Sequence, residues 1–428
     1  MQVDGSLIQE EEQTVFDNIR LLSYNIFIRM TLLHFPFSIV TLGPPAPKFT
    51  HNVANDFKDQ RLECFIRNYL DKYDVICLQE MFGAFSSRRR KLVKEARKRG
   101  FHWKVSSPQS RSSMCLVDGG CLILSRVRVA AESSMVFSTG LMSDRLAAKG
   151  VLYAKLNPKP NVYVHLFVTH LQAVYADSPS SMGVCQSVQR KQYSELVEFI
   201  TSTVAANETT SDMLVAERLS HKKNEKKGGM AASAPEQDTM SFLNHRCRRW
   251  PVLLAGDFNC NSRPTPGDIV TRVTPQYTDL TSELSKLGPF SDVLYDNLGD
   301  HPVTYAAAVF SLDGTFSPHE TALTHPADYQ DDGEWVNQSL DYIFLFPPTH
   351  EDVKLVGASS ASSLVGDEGS TPASPDSRAL NRALLKPQQV SVKHLEYQSA
   401  GQAPGGSLQY LSDHMALEAL LHVSSETA

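Results

Sequence analysis

Short, continuously apolar runs bounded by turn residues recur along the chain at Leu21–Ile26, Val75–Gln79, Gly120–Ser125, Gly150–Leu156, Val162–Thr169, Val252–Ala255 and Asp341–Phe346. Their length and punctuation predict strands, and the missing polar alternation in several predicts strands covered on both faces. Apolar residues fall at helical spacing over Asn55–Leu70 and Val188–Thr203, so helices are expected to cover the sheets. The basic segment Ser86–Gly100, SSRRRKLVKEARKRG, also reads as a helix. The pattern as a whole predicts an α/β or α+β sandwich with many strands.

Two segments interrupt it. Residues 205–244 and 356–388 are polar, rich in small residues and without periodicity, and are expected to be disordered insertions in surface loops. Strand-like sequence flanks both, so a single domain over 14–425 is expected to close across them. The apolar stretch Ile26–Pro47 is broken by Arg29, His34 and Pro36 before it reaches the roughly 20 residues of a spanning helix. It reads as a loop that covers a pocket or dips into an interface.

Composition narrows the function. Lys plus Arg total 41 against 47 Asp plus Glu, a formal charge of −6, which argues against a dedicated nucleic-acid partner while leaving room for a nuclease with local basic contacts. The 7 cysteines contain no C-x-x-C pair, so reduced, mostly core thiols are expected. The first thirteen residues are acidic and polar and do not form a basic and then apolar leader, so the expected location is intracellular.

The chemistry clusters at strand ends. Asn25 ends LLSYN, Glu80 ends VICLQE, His170 ends LFVTH, Asp257 and Asn259 sit in LLAGDFN, Asp341 opens LDYIF, and Asp413 and His414 sit in LSDHM. Any one of these has a bland account as a turn residue, a cap or a satisfied buried histidine. Six polar endings on apolar strands are costly unless they share one polar site. Hard oxygen donors without thiolate suit Mg²⁺, with Mn²⁺ as the alternative, and such a metal suits phosphate-ester chemistry.

The ordered set resembles the endonuclease/exonuclease/phosphatase superfamily over about Leu21–Leu421, excluding the two insertions. That resemblance implies a four-layer α+β sandwich: two packed, mostly antiparallel sheets flanked by helices, with a metal-dependent phosphodiesterase site at one rim. Within the superfamily, SSMCLVDGGCLILSRVRV, LAAKGVLYAKL and VTHLQAVY resemble the neutral sphingomyelinases. Gln172 stands where that family usually has a histidine, which implies altered local hydrogen bonding.

By the resemblance, Glu80 is the main metal ligand and Asn25 lies beside it, contacting metal or phosphate. His414 is the general base and Asp341 orients it. Asp257, Asn259 and Asp413 align water and phosphoryl oxygens, and His170 donates to the phosphate or leaving oxygen. Lys149 binds phosphate, and an Asp144–Lys149 pair helps order the site. The implied activity is Mg²⁺-dependent, phospholipase C-type hydrolysis of sphingomyelin or a related phosphosphingolipid; a nuclease of the same superfamily is the rival. The implied partner is phospholipid in a membrane surface, reached by a peripherally associated enzyme. Arg88, Arg89, Arg90, Lys94 and Lys98 are candidates for attracting anionic lipid.

Overall fold

The computed structural model describes residues 14–29, 57–108, 115–174, 179–224, 248–264, 273–306, 308–310, 316–318, 337–349, 381–398 and 408–427. Two six-stranded sheets dominate. In chain order the elements are β1 (Asn18–Ile28), α1 (Lys58–Asn68), β2 (Val75–Met81), α2 (Arg88–Lys98), β3 (Trp103–Ser106), β4 (Val117–Asp118), β5 (Leu122–Ser125), β6 (Arg128–Val136), β7 (Ala147–Ala148), β8 (Gly150–Lys159), β9 (Val162–His170), α3 (Pro179–Asn224) and β10 (Val252–Asp257). They continue with α4 (Pro275–Leu284), β11 (Ser291–Asp292), α5 (Val293–Leu298), the short strands β12 (Tyr305–Ala306), β13 (Ala308–Phe310), β14 (Phe316–Pro318) and β15 (Asn337–Gln338), and then β16 (Asp341–Phe346), β17 (Asn381–Lys393) and β18 (Ala416–Thr427).

The first sheet runs β17-β18-β1-β2-β5-β3 and the second β11-β16-β10-β9-β8-β6. Each is antiparallel except at one central pair, β1 with β2 and β9 with β10.

Strand alternation builds the layers. Ile19 and Leu21 of β1 face inward, with Cys77, Ile123, Leu166, Val168, Leu253 and Ala255, so one core fills the space between the sheets. Leu22, Tyr24 and Ile26 face outward onto Leu62, Phe65 and Ile66 of α1 and Leu92 and Ala96 of α2. Tyr153 and Phe167 pack on Tyr193, Leu196 and Ile200 of α3 and on Tyr277 and Leu280 of α4. Helix, sheet, sheet and helix thus form four layers, and truncating an inter-sheet leucine such as Leu166 to alanine is expected to cost about 2–5 kcal/mol.

Both predicted insertions begin or end elsewhere. Helix α3 continues to Asn224, and its residue Glu208 accepts hydrogen bonds from the backbone N–H groups of Arg249 and Trp250. The segment 205–244 is therefore helical at its start, because Glu208 ties the helix to the beginning of β10; residues 225–247 lie outside the described residues. The segment 356–388 likewise ends inside β17, whose Asn381–Pro387 pair with Thr427–Leu421 of β18. Residues 350–380, and residues 30–56 with most of the apolar stretch, lie outside the described residues. No described helix is long and apolar enough to cross a membrane, and the six described cysteines are unpaired.

Candidate active site at the sheet rim

The parallel pair in each sheet creates the site. Strands β1 and β2 run together with Asn25 beside Gln79, so Asn25 and Glu80 emerge at their carboxyl ends. Strands β9 and β10 do the same in the other sheet with His170 beside Asp257, and antiparallel β16 brings its first residue, Asp341, opposite Asp257. His414 arrives from the turn before β18, which is antiparallel to β1. Carboxyl ends of parallel strands from both sheets thereby share one rim.

Two glycines permit the close approach. Gly256, at φ +145°, lies so near β9 that a Cβ would sit 2.1 Å from the Thr169 carbonyl oxygen. Gly120, at φ +73°, leaves room for the Phe82 ring and the Glu80 Cα, each of which would lie within 3.2 Å of a Cβ. Non-glycine residues at the rim also occupy the left-handed region: Phe27 (φ 54°), Glu80 (φ 56°) and Asn259 (φ 49°). Such strain persists where the surroundings over-determine the backbone. Here the Asn25 side-chain oxygen accepts from Phe27 N–H, and Asp257 Oδ1 accepts from Asn259 N–H.

The side chains converge. His414 Nδ1 lies 2.9 Å from Asp341 Oδ2, and its Nε2 lies 3.8 Å from Asp257 Oδ2. The Asn25 amide donates to Asp257 Oδ2 at 2.9 Å, reaches Glu80 Oε1 at 3.5 Å and lies 3.4 Å from His414 Nε2. His170 Nε2 lies 3.5 Å from Asp257 Oδ2 and 3.0 Å from Lys149 Nζ. Lys149 also donates to Leu171 O at 2.8 Å and contacts Asp144 Oδ2 at 2.9 Å. Asn259 Nδ2 donates to the same Leu171 carbonyl at 3.0 Å. The hydrogen bond described for the Asp413 carboxylate comes from Ser412, so the structure leaves Asp413 one step outside the cluster.

The charges in this buried cluster act directly on one another. Burial works against the His414 imidazolium, but Asp341 and Asp257 outweigh it and hold its pKa well above the usual histidine range. Burial and then the neighbouring Asp341 raise Asp257. Burial and then the Lys149 ammonium push His170 well down, so it is a neutral imidazole. Its Nε2 lies between the Lys149 ammonium and the Asp257 carboxylate, and its Nδ1 has no hydrogen-bond partner among the described residues.

The donor set fits a hard divalent cation. Asp257, Asp341 and His414 present ligand atoms within 4.8 Å of one another. The His414–Asp341 hydrogen bond, with Asp257 Oδ2 3.8 Å from His414 Nε2, makes them an acid–base network first. Glu80 is the candidate ligand: its Oε2 is buried without a hydrogen bond among the described residues and pairs with the Arg29 guanidinium at 3.3 Å, a cation whose place a metal ion would take. Asn25 turns its amide nitrogen toward Glu80, an arrangement that steadies the carboxylate.

Several positioning residues carry no sequence motif. Arg61, buried on the apolar face of α1, donates to the carbonyls of Ile26, Phe27 and Leu411, tying the end of β1 to the turn that carries His414. Thr304 accepts from Asp341 N–H through Oγ1 and from Met415 N–H through its carbonyl, linking Asp341 and His414 from behind. A charged residue inside an apolar helical stripe was the one available signal for Arg61; Thr304 had none. Gln172 accepts from Leu141 N–H through Oε1 and donates to Ala173 O, fixing the loop that carries Asp144. On α2, Arg88, Arg89 and Lys98 are engaged by Asp59, Asp118 and Glu95, so these three of the five candidate basic residues are already paired.

The chain matches the Endonuclease/Exonuclease/phosphatase family over residues 49–414. It is 30% identical to a sphingomyelinase of Dictyostelium discoideum over 316 residues, 69% of this chain and 62% of that protein. It is 27% identical to a sphingomyelinase C of Bacillus cereus over 216 residues, 48% of this chain and 58% of that protein. The chain therefore spans about three-fifths of the length of these curated relatives. Among solved structures, SmcL superposes with a TM-score of 0.49 at 16% identity, covering 94% of this chain and 98% of that one.

Proposed function

Because the chain belongs to the endonuclease/exonuclease/phosphatase family, we propose that its rim cluster is the active site of a phospholipase C-type phosphodiesterase that hydrolyses sphingomyelin or a related phosphosphingolipid to ceramide and a phospho-headgroup. The observation that carries this reading is the His414–Asp341 pair at 2.9 Å, set beside Asp257, Asn25 and Glu80 where parallel strands of both sheets end. Similarity to sphingomyelinases supports the lipid substrate.

Each residue then has a chemical task. The unprotonated His414 ring takes the proton of the attacking water at Nε2, while Asp341 fixes the tautomer through Nδ1 and stabilises the imidazolium that results. Asn25 and Asn259 hold Asp257 and its loop in place, and Asp257 aligns the water. His170, whose Nε2 edge borders Asp257, is the candidate donor to a phosphoryl oxygen or to the departing ceramide oxygen as negative charge develops. Lys149, its ammonium shared among His170, Leu171 and Asp144, holds His170 neutral and oriented. Glu80 would hold Mg²⁺, which when bound supplies Lewis-acid neutralisation of phosphoryl charge.

The test is a side-by-side assay of the full chain with Mg²⁺ on sphingomyelin, inositol phosphosphingolipid and an abasic DNA duplex. Dominant turnover of a phosphosphingolipid is expected. Dominant cleavage of the duplex would replace the lipid reading with that of a nuclease.

A further inference from the structure

Two buried glutamines on α3 face the loop that follows His170. Gln189 and Gln192 stand at positions i and i+3 of the helix, each 1% exposed, at the start of a buried stripe that continues through Tyr193, Leu196 and Ile200. An amide in such a stripe is costly unless it is hydrogen-bonded, so its partners say what it is for.

The partners are two consecutive peptide units. In the Leu171–Gln172 unit, the Gln172 N–H donates to Gln192 Oε1 at 2.9 Å, while the Leu171 carbonyl accepts from Lys149 Nζ at 2.8 Å and Asn259 Nδ2 at 3.0 Å. In the Gln172–Ala173 unit, the Gln172 carbonyl accepts from Gln189 Nε2 at 2.8 Å, while the Ala173 N–H donates to Asp144 Oδ2 at 2.8 Å. A trans peptide is planar, with its C=O and N–H directed to opposite sides. Each unit is therefore gripped by α3 on one side and by one member of the Asp144–Lys149 pair on the other.

The same amides reach two neighbouring loops. Gln189 Nε2 also donates to Asn259 O at 2.7 Å, and Gln192 Nε2 to Thr139 O at 2.8 Å. Asn259 follows Asp257 at the end of β10, and Thr139 leads into the turn that carries Asp144. Two carbonyls on Gln189 Nε2 use both hydrogens of one amide nitrogen, which a methionine of similar size does not have.

We propose that Gln189 and Gln192 are positioning residues for the reaction: by fixing the direction of the two peptide units after His170, they set Lys149 against His170 and Asp144. The inference rests on the hydrolase reading for its purpose, and loop order is measured apart from turnover so that the two fail separately.

The experiment compares the full-length wild type with Gln189→Met, Gln192→Met and Ile200→Ala, the last loosening α3 about two turns beyond Gln192. Backbone hydrogen–deuterium exchange is followed over residues 170–174 and 257–261, and kcat and KM are measured on a monomeric short-chain sphingomyelin with Mg²⁺ at matched folded concentration. Gln192→Met is expected to speed exchange at Gln172, and Gln189→Met at Ala173 and Asn259, by about tenfold. Both should lower kcat about tenfold with KM held within about twofold, and Ile200→Ala should change neither exchange nor kcat. A loss that acts through Lys149 is not paid twice, so Gln192→Met/Lys149→Met should turn over within about threefold of Lys149→Met alone. Additive losses in that pair, wild-type exchange at Gln172 in Gln192→Met, or equal changes in Ile200→Ala would overturn the proposal. The expected exchange pattern in a protein that hydrolyses no sphingomyelin would support the glutamine clamp and defeat the hydrolase reading.

Discussion

Two buried histidines, His414 and His301, each face an aspartate, yet their surroundings differ. At the rim, Asp341 Oδ2 lies 2.9 Å from His414 Nδ1 and Asp257 stands on the other side, so the imidazolium is favoured despite burial. At α5, Asp292 Oδ2 accepts the Tyr277 hydroxyl at 2.7 Å, its Oδ1 caps the helix through Leu294 and Tyr295 N–H, and His301 Nδ1 is 3.8 Å away. Burial lowers His301 to about 4, and the Tyr277 and Tyr295 rings lie 4.6 and 4.7 Å from its imidazole. A carboxylate whose lone pairs are committed to a phenol and a helix end supports packing, whereas one aimed at an imidazole makes that imidazole basic.

The strongest challenge to the rim's side of this contrast is Glu80→Gln, which keeps the volume and removes the charge. A loss of turnover of about a thousandfold is expected, with a raised Mg²⁺ requirement, measured as rate against Mg²⁺ concentration. Next is Asp341→Asn, expected to slow turnover about a hundredfold. Because Asp341 raises His414, its removal lowers that pKa, so the limb on which activity climbs with pH should move to lower pH. An unmoved limb would detach Asp341 from the base. Lys149→Met should cost about tenfold in kcat, with the pH profile altered as His170 loses the ammonium at 3.0 Å. Unchanged turnover on lipid micelles would remove Lys149 and Asp144 from the site.

The smallest effect sharpens the other side. His301→Gln should leave turnover alone and cost about 1–2 kcal/mol of stability. His301 falls from 6.5 to about 4 on folding, so the folded chain binds fewer protons across that interval and stability from this residue grows as pH rises through it. Asp292 rises from 3.8 to about 6, so its contribution runs the opposite way, falling as pH rises. Urea melts between about pH 4 and 6 should therefore show the wild type gaining on His301→Gln with rising pH.

The rim was legible because its chemistry is written at strand ends. Asn25, Glu80, His170, Asp257 and Asp341 all end or open apolar runs, and the structure brings them together with His414. Asp144 and Lys149, five apart in sequence, also meet. The supports were not legible, because Thr304 and Arg61 act through backbone atoms far away in the chain. Edge elements were hidden for a different reason. Strand β6 is mostly exposed and interrupted by Glu132, Ser133 and Ser134, and β17 carries Pro387 at a register shift, so neither shows the apolar run that marks a central strand. The continuation of α3 depends on Glu208 meeting Arg249 and Trp250, a contact that polarity alone does not announce.

His414, and not merely a buried histidine beside an aspartate, is the proposed activator of water for phosphosphingolipid hydrolysis. Initial rates of sphingomyelin hydrolysis by purified wild type, His414→Ala and His301→Gln, with Mg²⁺ and at matched folded concentration, test it most directly. His414→Ala should lose turnover by about a thousandfold while His301→Gln retains it. Retained turnover in His414→Ala would contradict the account.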